Sequence, residues 1–145
     1  MSLGNPIETV RVGEDGRNKL LTLKKRTGIK NWNILCRWAF CTSLANPSSP
    51  AGLNKESSDS DSESGTGKPL TVEMSWSTFG GVHADVYTAL LVARCFSDGK
   101  PLDKDTLSEQ FRLHLNRGLG YLVEPDGPKS LEDLVASAVI KKNYS

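Results

Sequence analysis

The chain has 145 residues, a formal net charge of +1 and 37% hydrophobic residues. This length and composition are those of a soluble globular protein with one core, and the balanced charge excludes a global field toward nucleic acid or membranes. Residues 1–45, however, carry 8 Lys and Arg against 3 Asp and Glu, whereas residues 46–70 and 71–145 each have a net charge of −2. This asymmetry indicates a local surface for an acidic partner, although basic helical surfaces also arise by chance.

The compartment is indicated by the lack of targeting segments and by the cysteines. The first residues do not have the charged and apolar regions of a signal peptide, and no apolar run reaches the roughly 18 residues that span a bilayer. The three cysteines, Cys36, Cys41 and Cys95, are an odd number in apolar surroundings. Reduced thiols of this kind are typical of the cytoplasm. We therefore expect a cytoplasmic protein without a membrane anchor.

The N-terminal third predicts a strand followed by a basic helix. Residues 7–12 alternate β-branched side chains with others, which indicates a short strand. A helix is expected over about 14–27, with Gly28 as the residue after its end. The apolar stripe of this helix is made of Leu20, Leu21 and Leu23.

A second helix is expected over about 32–45, with Asn31 as its N-cap. It is apolar nearly all the way round, and such a helix must be buried by later helices or by other copies of the chain. Its aromatic residues could stack on bases at a strand end, but a place in the core is the more usual interpretation. These aromatic residues are Trp32, Trp38 and Phe40.

The rest of the chain predicts an insert and more helices. Residues 46–70 are rich in Ser, Pro, Gly and acidic residues, which is typical of a flexible insert. Residues 71–79 alternate and predict an extended segment with one buried face. Further helices are expected over about 83–97, over 104–117 with Asp103 as N-cap, and from Ser130 onward.

No residue pattern indicates a catalytic or metal centre. Cys36 and Cys41 are five residues apart, which is not the spacing of a zinc site, and no second pair follows. A Gly-x-Gly sequence begins at Gly118 after a predicted helix, so Gly118 is interpreted as a helix cap rather than as part of a phosphate loop. His114 lies between two leucines and is interpreted as structural. We expect no cofactor and no metal.

The basic residues of the first helix are the strongest functional signal. At 100° per residue, Lys19, Lys25 and Arg26 lie opposite the leucine stripe, whereas Lys24 and Arg17 lie close to it. Cations on one helix face suit contacts with the phosphates of a nucleic acid, and no side chain here indicates base readout. The order strand, helix, helix is also that of the ribbon-helix-helix unit, whose strand pairs with its twin in a second subunit.

Resemblance to a known family rests on three stretches: LTLKKRTGIKNWNILCRWAFCTSL, SWSTFGGVHADVYTALLVAR and HLNRGLGYL. They resemble the DndE family, the small proteins of the bacterial DNA phosphorothioation (sulfur modification) system, over residues 7–45 and 70–122. The 46–70 insert is longer than expected for that family. The resemblance implies a compact helical homotetramer that binds DNA, with preference for nicked duplex, and acts beside sulfur-transfer and ATPase components. It assigns DNA binding to Arg17, Lys19, Lys24, Lys25, Arg26 and Lys30.

The sequence therefore predicts one mainly α-helical domain over 1–145, with a ribbon-helix-helix-like N-terminal unit and additional helices, that forms an oligomer. Its expected function is that of a non-enzymatic DNA-binding subunit of the phosphorothioation machinery, which contacts the phosphate backbone through the first helix. Two alternatives stay open. Cys36 could accept sulfur on its way to DNA, or the chain could be an assembly scaffold whose basic face binds an acidic protein.

Overall fold

The protein is described by a computed structural model over residues 5–51 and 70–143, with side chains described up to residue 138. It is mainly helical, as predicted, and its two strands form one small sheet. A 3-10 turn, Gly81–His83, leads into the fourth helix. The elements are β1 (Thr9–Val12), α1 (Glu14–Thr27), α2 (Trp32–Leu44), β2 (Val72–Ser75), α3 (Trp76–Gly80), α4 (Ala84–Ser97), α5 (Lys104–Val123) and α6 (Leu131–Asn143).

Helix α1 begins and ends where the sequence predicts. Gly28 follows it with φ of 79°, and the Gly28 backbone N–H donates to the Lys24 carbonyl oxygen at 2.9 Å. A residue with a side chain rarely adopts this left-handed conformation, which is why glycine ends the helix here. The apolar stripe is narrower than predicted, because Leu21 is exposed. The buried side of α1 is made of Gly16, Leu20, Leu23 and Thr27.

Strand β1 pairs antiparallel with β2 of the same chain, with Val12 opposite Val72. Arg11 Nη2 lies 2.6 Å from Glu73 Oε2 across the pair. This differs from the ribbon-helix-helix unit that the element order suggested, in which the strand pairs with its twin. Val10 and Val12 are buried in the core of their own chain. Strand β1 therefore pairs with a strand beyond the insert, which the order of neighbouring elements could not predict.

The segment predicted as extended over 71–79 is only partly a strand. After β2 the chain turns at once into the short helix α3, where the Ser75 hydroxyl accepts a hydrogen bond from the Thr78 backbone N–H at 3.1 Å. This is an N-cap interaction. Trp76 and Phe79 are buried by the resulting turn. The alternation of polar and apolar residues therefore predicted burial correctly here, but it overestimated the length of the strand.

Helices α2 and α5 cross at the centre of the core. Helix α5 continues to Val123, beyond the predicted end at Arg117. Gly118 is therefore not a helix cap: it lies inside α5, where a Cβ atom would stand 1.7 Å from the carbonyl oxygen of Ala39. Phe40 is fully buried in this contact region. The apolar side of α2 is thus covered by a later helix of its own chain.

Helix α4 buries only part of the wide apolar face that its sequence predicts, which consists of Val86, Tyr87, Leu90, Leu91 and Ala93. Leu91 is buried and Tyr87 is half-buried, whereas Val86 and Leu90 are exposed. Because α4 is apolar around most of its circumference, periodicity could not select which side packs. The buried side is made of Thr88, Leu91 and Cys95.

Two arginines hold the chain where it leaves α2. Arg94 Nη1 donates to the Leu44 carbonyl oxygen at 3.0 Å, and Arg117 Nη2 donates to the Ser48 carbonyl oxygen at 3.0 Å. Carbonyls at a helix C-terminus lack intrahelical partners, and cations satisfy them well. The first residues of the predicted insert are therefore held against the core, whereas residues 52–69 lie outside the described residues.

Candidate nucleic-acid interface

The basic residues of α1 form two rows rather than one cluster. Arg17 and Lys24 are seven residues apart and share the flank that faces the start of α2. Lys19 and Arg26 are also seven residues apart and share the opposite flank, near the end of α5. Lys25 lies between the rows and points away from the core. Of the three cations expected opposite the leucine stripe, Lys25 faces away from the buried side, whereas Lys19 and Arg26 lie on its flank.

The first row leads toward α2. Lys24 Nζ lies 4.3 Å from the centroid of the Trp32 ring. Such a cation–π contact contributes about 0.5–1 kcal/mol at an exposed site, and it explains how a lysine is accommodated beside the leucines. Arg17 is half-buried and lies about two helical turns before Lys24 on the same flank. Lys30 is exposed in the turn between α1 and α2, so it extends this row past the end of the helix.

The second row is partly occupied by contacts within the chain. Lys19 Nζ lies 2.6 Å from Asp15 Oδ2, and Arg26 Nη1 donates to the Leu122 carbonyl oxygen at 3.4 Å. An ion pair this exposed stabilises by only about 0–1 kcal/mol, so a phosphate can compete for Lys19. Lys25, by contrast, is exposed and makes no hydrogen bond or ion pair with the residues that the structure describes.

A groove of about 430 Å³ opens between the start of α2 and strand β2. Trp32, which was interpreted as a core residue, is only half-buried and lines this groove. The groove could not be predicted from local sequence, because strand β2, which forms its second wall, lies beyond the insert in the chain. The only local signal was an aromatic residue between two asparagines directly after a lysine. The groove is lined by Lys30, Asn31, Trp32, Asn33, Val72, Glu73, Met74 and Thr78.

The cysteines are not activated as nucleophiles. Cys36 is fully buried, and burial raises the pKa of its thiol to about 12. Cys41 is exposed, yet partial burial of its thiol also raises its pKa. A reactive cysteine needs the opposite shift, because the thiolate is the nucleophile. This environment disfavours the interpretation of Cys36 as a sulfur acceptor.

His114 is a buried, hydrogen-bonded core residue, as its position between leucines predicted. Its Nδ1 lies 2.8 Å from Ser43 Oγ, and that hydroxyl oxygen accepts from Arg117 Nε at 2.9 Å. Which of the two atoms donates in the Ser43–His114 contact depends on the imidazole tautomer. Burial first, and then the positive charges of Arg94 and Arg117, lower the pKa of His114 to about 4. The imidazole is accordingly neutral at neutral pH.

The remaining chemistry of the described residues is limited. Over 5–51 and 70–143, no three His, Cys, Asp or Glu residues lie together in a way that could hold a metal ion. Within the same ranges, no helix is long and apolar enough to cross a membrane. The two basic rows and the adjoining groove are the features that fit a charged ligand.

Comparison with protein families decides the relationship of this chain. The family model described as DNA sulphur modification protein DndE matches residues 9–127, from β1 to beyond the end of α5. The chain belongs to the DndE family. This match confirms the resemblance carried by the three sequence stretches, and DndE membership implies a role in DNA phosphorothioation. No curated protein matches the sequence.

Proposed function

We propose that this DndE-family chain is a non-catalytic, DNA-binding subunit of the bacterial phosphorothioation machinery and acts in the cytoplasm. It binds the phosphate backbone of double-stranded DNA through α1, with preference for nicked duplex, beside the sulfur-transfer and ATPase subunits. The observation that carries the proposal is the exposed face of α1. That face presents Lys25 between two basic rows, with Lys30 in the following turn.

The charge distribution along α1 supports backbone binding at its C-terminal end. Its acidic residues, Glu14 and Asp15, lie in the first turn, where they suit the positive end of the helix dipole. Its last turn carries Lys24, Lys25 and Arg26. Each phosphate that a lysine or arginine neutralises releases condensed counterions, which is a favourable and sequence-independent contribution to binding. A surface of this kind binds duplex with little base specificity.

We also propose that the chain forms a homotetramer, which repeats the α1 surface within one particle. Helix α2 does not support this, since α5 covers it within the chain. Support comes from α4, whose outward side is apolar and lies opposite its buried side. Val86 and Leu90 are exposed there, and Phe96 in the last turn is 73% exposed. A second copy that covers this side would bury Val86 and Leu90.

The assignment to α1 is tested by the salt dependence of duplex binding. The double variant Lys24→Gln, Lys25→Gln removes two phosphate contacts, so the slope of log affinity against log salt should fall in magnitude by about 1.8, or about 0.9 per contact. Fluorescence anisotropy with a labelled duplex gives the slope. Lys104→Gln, Lys129→Gln is the matched control, because both lysines are exposed elsewhere in the fold. An unchanged slope in the α1 variant, or an equal fall in the control, would remove α1 from the interface.

A further inference from the structure

The groove beside the first basic row is an open surface depression with a volume of about 430 Å³. One wall is fixed by Asn33, whose Nδ2 donates to the Thr78 carbonyl oxygen at 3.0 Å. Across the sheet, Arg11 balances the charge of Glu73. Among the lining residues that the structure describes, Glu73 is the one acidic residue, and it already has a partner.

Its lining brings a cation and an aromatic ring together. Lys30 is exposed and lines the groove beside Trp32, and Lys24, next to the lining, lies over the ring of Trp32. Met74 adds an adaptable apolar contact, and Asn31 adds an amide that can donate and accept hydrogen bonds. Phosphate requires cations, whereas a nucleobase requires a flat apolar surface with polar groups at its edge. Both requirements are met within one groove.

We propose that this groove binds one unpaired nucleotide of a DNA strand, an inference that rests on the DNA-binding function proposed above. The phosphate draws Lys24 Nζ and Lys30 Nζ together, and the base replaces Lys24 on the Trp32 ring. This exchange is favourable because base stacking contributes more than an exposed cation–π contact. The row of Arg17, Lys24 and Lys30 leads the strand from the α1 surface into the groove.

The test uses the indole N–H signals of the full chain in two-dimensional NMR. Adding a 5′-phosphorylated single-stranded tetranucleotide should shift the signal of Trp32. Trp76 is an internal control because it is buried and its Nε1 donates to Thr88 Oγ1 at 2.9 Å. Trp38 is a second control because it is half-buried on α2 outside the groove lining. Neither control signal should move.

A binding measurement extends the test to duplex DNA. Trp32→Leu should weaken binding to a duplex with a one-nucleotide flap about ten-fold more than it weakens binding to the intact duplex. Trp38→Leu, the matched variant, should change neither affinity. If the chain binds intact duplex but the Trp32 signal does not move, the groove assignment is overturned and the proposed function stands. If the chain binds no DNA, both are overturned.

Discussion

Replacing Gly118 by alanine is expected to destabilise the chain by about 3 kcal/mol or more, because a Cβ atom at this position would lie 1.7 Å from the carbonyl oxygen of Ala39. The obstructing atom belongs to the backbone of α2, so it cannot rotate away as a side chain would. Helix α5 must shift away from α2 and loosen the centre of the core. Such a loss is a large part of the total stability of a domain of this size. Urea unfolding followed by circular dichroism measures it.

Gly120 supplies the matched control in the same helix. Nothing lies within 4 Å of a Cβ atom built there. Gly120→Ala should therefore stabilise the chain by about 0.5–1 kcal/mol, since alanine has the higher helix propensity. A Gly118→Ala variant with the unfolding midpoint of the unsubstituted chain would show that α2 and α5 do not cross at this position.

Placing charge on the outward side of α4 is expected to break the proposed homotetramer into smaller particles. Val86→Glu with Leu90→Glu introduces like charges that meet their symmetry copies if two α4 helices face each other. Both residues are exposed, so the fold of the single chain should persist. Light scattering after size exclusion should give a lower mass than that of the unsubstituted assembly. Duplex affinity should fall as well, because the α1 surface is presented in fewer copies.

Val135→Glu is the matched control for that variant, because Val135 is an exposed apolar residue on α6. It should leave the mass of the particle unchanged. The proposal for α4 fails if the unsubstituted chain already has the mass of one chain, or if the double variant keeps the mass of the unsubstituted assembly.

Local sequence signals predicted helices α1 and α2 well. The bounds of α1 were predicted correctly because its end is determined locally. Gly28 adopts a φ of 79°, a conformation that favours glycine whatever the rest of the fold does. The partner of β1 was not predictable in this way. Strand β2 follows the insert, and pairing depends on register and burial across a long sequence separation.

The role of Gly118 and the groove illustrate the same limit. A glycine near the end of an amphipathic pattern predicts a helix cap, whereas its close approach to Ala39 depends on how two distant helices cross. Likewise, helical spacing placed the basic residues of α1, but the contacts of Lys24 with the start of α2 and of Arg26 with the end of α5 depend on how distant segments pack. Trp32 was assigned to the core because the groove that it lines exists only once β2 packs beside α2.

Direct titration of DNA with the unsubstituted chain tests the central claim of backbone binding. A labelled duplex and the same duplex with a single nick would each be titrated at several salt concentrations from about 50 to 200 mM. We expect binding to both, tighter to the nicked duplex, with log affinity falling linearly against log salt. No binding to either duplex at the lowest salt, or an affinity independent of salt, would contradict it.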